Sequence, residues 1–182
     1  MVAIWQMGLT GIVLVAMATD LKRRKIYNWL TFPAMLVGLI LQGVFGGISG
    51  VQSGLIGLLV GSVIFLIGFV VGAMGAGDVK LMAAVGAWLG WPHAVAAVLY
   101  VSCFGGLIAI VAAVMHGSLR RMLANVYWFM VGLVLPGGKA QAAFAQSAAP
   151  PVPYGVSIAL GTMLALFYPE PIHLLAALGV GS

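Results

Sequence analysis

Two long stretches of this chain carry no charge. None lies between Lys25 and Asp78, and none between Lys80 and Arg120. Each far exceeds the roughly 20 apolar residues that take a helix across a bilayer. Backbone polar groups inside hydrocarbon must be satisfied internally, so such runs fold as helices or as closed barrels. A barrel needs short segments of alternating polar and apolar residues, and the runs show no such alternation. A charged fraction of 6% and a mean hydropathy of +1.18 point the same way; a soluble domain is roughly 25% charged. The expectation is an all-α, polytopic membrane protein, one integral domain over residues 1–182, with about six transmembrane helices packed by glycine.

Walking the chain places the spans at about 4–20, 29–48, 55–73, 78–91, 94–115 and 154–168. Pro33 falls in the first turns of the second span, where proline is tolerated. A Gly/Ser turn at 47–53 separates the second span from the third. The fourth is short, which points to tilt, local thinning of the bilayer or partial re-entry. Tyr127 to Leu135 is apolar but too short to cross. Pro136-Gly137-Gly138-Lys139 breaks it, so residues 122–150 read as cytoplasmic or interfacial, followed by a last span and a tail with Glu170 and His173.

Charge placement gives the orientation. Alternating the spans from an outside start puts all 8 Lys and Arg residues on the cytoplasmic side, as the positive-inside rule requires. The net charge of +5 therefore reads as orientation, and no nucleic-acid partner is expected. No basic residue precedes the apolar stretch 11–18, and four follow it at Lys22, Arg23, Arg24 and Lys25. That order is the reverse of a cleaved signal peptide, so the first span is expected to be retained. Gly57/Gly61, Gly68/Gly72 and Gly86/Gly90 are small residues four apart, which suits close helix packing in lipid. Gly137-Gly138-Lys139 is no phosphate loop, because Leu133 and Ala140 stand where a glycine and a Ser or Thr are needed. Cys103, alone in an apolar run, is expected to be buried and inert. His93 and His173 fall on the far side and His116 has no partner in a recognisable spacing, so neither a metal nor a cofactor is expected.

The chemistry must then come from three acids, Asp20, Asp78 and Glu170. An acid at a helix centre in lipid costs roughly 2.5–3.5 kcal/mol on insertion scales. Asp20 and Asp78 avoid the centre: each ends an apolar segment beside basic residues, on the same cytoplasmic face, while Glu170 falls on the other. Two carboxyls on one face suit acid–base hydrolysis. Close like charges keep one protonated and one ionised. The ionised group takes a proton from water and the protonated group polarises the scissile carbonyl. An alternative from another class is a proton- or cation-coupled transporter with the aspartates as carriers. Asp20 lies at a helix carboxyl end and Asp78 at a helix amino end, so the macrodipole favours Asp78 as the ionised base and Asp20 as the proton holder.

Met74-Gly75-Ala76-Gly77-Asp78-Val79-Lys80 resembles the G-x-G-D-x-K signature of the bacterial prepilin peptidases, the type IV prepilin leader peptidase family of intramembrane aspartyl proteases. Asp20, the basic stretch Lys22 to Lys25, Ile26 and Asn28 resemble the family's first motif, Asp followed by basic residues and Ile-Pro-Asn. Pro153-Tyr154-Gly155 resembles a third motif that opens the last span. Tyr27 stands where the family usually has proline, and Met74 where an aromatic is common. The resemblance implies an aspartic endopeptidase with Asp20 and Asp78 as catalytic residues, supported by Gly75, Gly77, Lys80 and Asn28. It implies cleavage of the short basic leader of a prepilin or pseudopilin after a glycine, at the cytoplasmic face of the bacterial inner membrane. Long family members carry two Cys-x-x-Cys pairs and an N-methyltransferase activity. With a single cysteine, this chain is similar to the short, peptidase-only forms of tight-adherence pili, and methylation is not expected.

Overall fold

A computed structural model describes residues 4–70, 74–120, 123–124, 127 and 154–168. Among them the regular structure is helical and no strand occurs. The main helices are α1 (Ile4–Arg23), α2 (Asn28–Val70), α3 (Ala76–Leu89), α4 (His93–Met115) and α5 (Tyr154–Phe167). Each expected span has a helical counterpart. Arg121, Lys139, Glu170 and His173, with the segment 128–153, lie outside the described residues.

Helix α1 runs one turn further than expected, so that Lys22 and Arg23 occupy its last turn, where cations offset the negative end of the helix dipole. Helix α2 covers two expected spans. The chain reverses inside it at Gly47, whose φ of 61° and ψ of −143° are not helical. Glycine reaches this left-handed region without the steric cost other residues meet. The two arms then lie side by side: a methyl on Gly43 would sit 3.0 Å from Val51 Cγ2, and one on Gly54 3.1 Å from Leu39 Cδ2. The expected turn over 47–53 is thus a reversal at one residue, with helix resuming at once. At roughly 1.5 Å per residue the arms are about 28 and 34 Å long, close to the roughly 30 Å of a hydrocarbon core.

Helix α3 is the centre of the molecule. It touches α1, α2, α4 and α5, and every residue from Asp78 to Leu89 except Lys80 is buried. The helix is as short as expected, with 14 residues. A helix sheathed by other helices has no lipid thickness to match, since its surroundings are protein. The sheath itself is apolar outside: Leu36, Ile40 and Val44 on the first arm of α2, Leu59 and Val63 on the second, and Leu107, Ile110 and Val114 on α4 are all exposed. Contiguous apolar surface of this extent is foreign to water-soluble monomers, and α2 and α4 are each apolar and long enough to cross a membrane.

Glycine sets how closely α3 lies against α2. A methyl on Gly57 would strike the Gly86 carbonyl oxygen and lie 2.9 Å from Gly90 Cα; one on Gly61 would strike the Met82 carbonyl oxygen. Gly68 instead makes room for the Met74 side chain, whose sulfur would lie 3.1 Å from an added methyl, and its partner Gly72 lies outside the described residues. Trp88 fills the gap between α1 and α2. Gly38 and Gly8 clear space for its ring, and its indole Nε1–H donates to the Ala34 carbonyl at 2.7 Å. Beyond Leu89 the chain is tied back to the α2 hairpin: Gln42 Nε2 donates to the Trp88 carbonyl at 3.0 Å and the Trp91 N–H to Ser53 Oγ at 2.9 Å.

Cys103 corrects an expectation, being exposed on α4. The apolar run around it is apolar because α4 turns much of its surface outward, with only part of the helix buried. His93, exposed at the start of α4, sits just beyond the α3 end remote from Asp78, and His116 caps the other end of α4. If the Gly57–Gly86 crossing holds α3 in place, Gly86→Leu will lower the thermal unfolding midpoint in detergent, at a cost of about 1–3 kcal/mol or more. Gly11→Ala, where an added methyl meets nothing within 4 Å, will leave the midpoint unchanged or raise it by up to about 1 kcal/mol in stability.

Candidate active site

Asp20 stands one turn before the end of α1, and its carbonyl accepts the Arg24 N–H at 2.7 Å. Arg24 then leaves the helix at φ 51°, in the left-handed region. Four residues later α2 begins: the Tyr27 carbonyl accepts the Leu30 N–H at 3.1 Å and the Thr31 N–H at 3.3 Å. Tyr27, standing where the resemblance implied proline, therefore still closes the loop, and its hydroxyl accepts from Arg23 Nη1 at 3.1 Å.

This tight loop lies on the first turn of α3, and Gly77 is the reason it can. A methyl there would lie 2.9 Å from Ile26 Cβ and 3.3 Å from the Ile26 carbonyl oxygen. Gly75 is the N-cap of α3, extended at φ −83° and ψ 154°. The Gly75 N–H donates to Asp78 Oδ2 at 2.9 Å, and the Asp78 N–H donates to the Gly75 carbonyl at 3.1 Å. An acid at the third helical position reaching back to the cap N–H is half of a capping box. The glycine-rich segment thus starts a helix.

The Asp20 carboxylate is held by a different helix. Its Oδ2 accepts the Gly155 N–H, near the start of α5, at 2.8 Å. Helix starts leave N–H groups without intrahelical partners, and here one of them finds an acceptor on α1. The macrodipole contrast drawn from the sequence does not survive this geometry. Asp20 sits at the carboxyl end of its own helix, yet it also receives an N–H from the amino end of another. Each aspartate therefore accepts one backbone N–H at a helix start, and dipoles alone do not set the two apart.

Asp20 and Asp78 are each only 8% exposed, and both line one pocket of about 360 Å³ with residues 24–28 and 75–77. Among the described residues the bond to each carboxyl is made through Oδ2, which leaves Oδ1 of each without a protein donor. Two of the expected supporting residues meet at the rim. Lys80 Nζ donates to Asn28 Oδ1 at 2.9 Å and lies 5.3 Å from the centre of the Phe32 ring, a cation–π distance. The structure thus brings Asp20, Asn28, Gly75, Gly77, Asp78 and Lys80 to one end of the bundle. Among the described residues no cluster of three or more His, Cys, Asp or Glu is placed to hold a metal ion. The contribution of Gly155 was not legible from residue type, since its role is that of a backbone N–H. Its place in the third motif was the available signal.

The sequence profile described as the type IV leader peptidase family matches residues 7–110, which include both aspartates and the Gly75–Lys80 segment. Among curated proteins, the chain is similar to the prepilin leader peptidase/N-methyltransferases of two strains of Burkholderia pseudomallei, each 26% identical over 174 residues. The alignment takes in 92% of this chain and 47% of each relative, so the chain spans about half the length of the curated relatives it matches. No solved structure matches. With a profile match over more than half its length, enclosing the loop and the helix start that bring the two carboxyls together, this chain belongs to the type IV leader peptidase family.

Proposed function

We propose that the chain is an aspartic endopeptidase in which Asp20 and Asp78 together hydrolyse one peptide bond of a prepilin or pseudopilin. The bond is the one that joins the short basic leader to the mature protein, after a glycine, at the cytoplasmic face of the bacterial inner membrane. The observation that carries this reading is the shared pocket: two carboxyls, far apart in sequence, line one small cavity at the end of the bundle that bears the basic loop. A carrier pair for ions would need access from both sides of the membrane, and a pocket at one end offers less support for that.

In the proposed reaction one carboxyl is ionised and the other protonated, as two close acids require, and the pair titrates as a unit. The ionised carboxylate takes a proton from a water molecule while the water oxygen attacks the scissile carbonyl carbon. The protonated carboxyl gives its proton to the carbonyl oxygen, which yields a neutral gem-diol. Collapse of the diol returns a proton to a carboxylate, breaks the C–N bond and protonates the departing amine. The unpaired Oδ1 atoms are the groups available for these transfers. Six spans from an outside start, with α2 supplying two, would put the pocket at the inner leaflet, where a substrate helix frays and its backbone becomes reachable. The Lys80–Asn28 bond would hold the starts of α2 and α3 in register at the pocket rim.

Co-expression with a candidate prepilin should give a smaller product, and purified enzyme should release the leader. Asp20→Asn and Asp78→Asn should each lower kcat by about 10²–10⁴-fold, with product lost in the gel assay. Full processing by either variant refutes the pair. Lys80→Ala should be milder than either. Lys80→Arg, which keeps a donor and a cation over Phe32, should recover most of the difference in leader-release rate.

A further inference from the structure

We infer that Gly155 is a positioning residue for Asp20: the start of α5 is built to hold that carboxylate in the pocket, and only glycine at this position allows it. The inference rests on the peptidase reading above. It extends the site beyond residue 110, where the family match ends, to the last described helix.

Three observations meet at this residue. The Gly155 N–H donates to Asp20 Oδ2 at 2.8 Å, in a buried contact between residues 135 apart. A methyl on Gly155 would lie 2.8 Å from Asp20 Cβ and 2.9 Å from Oδ2, so any side chain meets both the stem and the head of the acid. Gly155 itself is buried, so the contact is made inside the protein. An alanine here would have to push Asp20 back to ordinary contact, roughly 3.5–4 Å. That is a shift of about 1 Å, and the N–H bond would be lost with it.

The hold is reciprocal. Asp20 accepts one of the N–H groups that the first turn of α5 cannot satisfy internally, so it acts as a capping acceptor supplied by α1. Asp78 has the corresponding bond from its own cap residue, Gly75. One acid is therefore fixed locally within a few residues. The other depends on the docking of a helix from the far end of the described chain, and α5 becomes part of the catalytic assembly and more than a packing element.

The test compares two glycines of α5. Gly161 also takes no side chain, because a methyl there would lie 2.5 Å from the Val101 backbone N of α4, but it does not touch Asp20. Gly155→Ala is expected to lower kcat for leader release by about 10²-fold, the scale of a 1 Å misplacement, with KM within about threefold. Gly161→Ala is expected to lower the unfolding midpoint while its folded fraction keeps wild-type kcat. A wild-type kcat in Gly155→Ala, or equal kcat losses in the two variants, overturns the inference. If Gly155→Ala does not fold, hydrogen exchange decides the question in protein carrying ¹⁵N-glycine. Loss of protection of the Gly155 amide by tenfold or more in Asp20→Ala, with protection kept in Asp78→Ala, supports the hold; unchanged protection in Asp20→Ala overturns it. This exchange measurement needs no substrate, so it stands apart from whether the chain cleaves prepilin.

Discussion

Close backbone contact between α2 and α3 is the condition on which the rest of this molecule depends. In hydrocarbon, apolar side chains gain nothing by leaving their surroundings, so helices associate through packing and through polar contacts. Gly57 and Gly86 remove the side chains that would keep the two backbones apart. Trp88 then docks on Gly8 and Gly38, with its indole N–H bonded to the Ala34 carbonyl. These contacts fix the depth and rotation of α3, and with them the position of its first turn. Asp78 is delivered to the pocket by contacts made along the rest of the helix, toward its opposite end.

The pocket combines two solutions to one problem. A carboxylate buried at the end of an apolar bundle needs a hydrogen-bond partner. Asp78 is held by the N–H of its own helix cap, and Asp20 by the N–H of a helix start from elsewhere in the chain. Arg24 and Lys25 line the same cavity, which keeps positive charge near the acids while backbone N–H groups supply the hydrogen bonds to them. Gly77 completes the arrangement, because it lets the Ile26 backbone lie against α3 and so closes the distance between the α1 end and the α3 start.

Much of this was legible in the sequence. Charge-free runs predicted the helices, and the positions of Asp20 and Asp78 at the ends of those runs predicted a common site. Glycines four apart predicted the α2–α3 contact at Gly57, Gly61 and Gly86. The features that were not legible depend on distance in space. The enclosure of α3 by its neighbouring helices is a matter of space, which a short apolar run does not reveal. An apolar run such as the one around Cys103 looks the same whether it faces protein or lipid, since both are apolar. The macrodipole contrast failed because it treated each aspartate as belonging to one helix, whereas Asp20 also faces the start of α5. Gly155 carries its role in an N–H that every residue but proline has, and only its missing side chain distinguishes it. The reversal at Gly47 was expected as a longer loop, because helix propensity does not reveal that one glycine can turn the chain.

The enclosure of α3 has a further consequence for how the protein meets its surroundings. The helices that border α3 present the apolar exterior, so changes in acyl-chain length or lateral pressure act first on α2 and α4. The helix that carries Asp78 meets them through its contacts with those two helices. A change in bilayer thickness would therefore reach the end of α3 that bears Asp78 only through the tilt of those neighbours, along the Gly57–Gly86 contact.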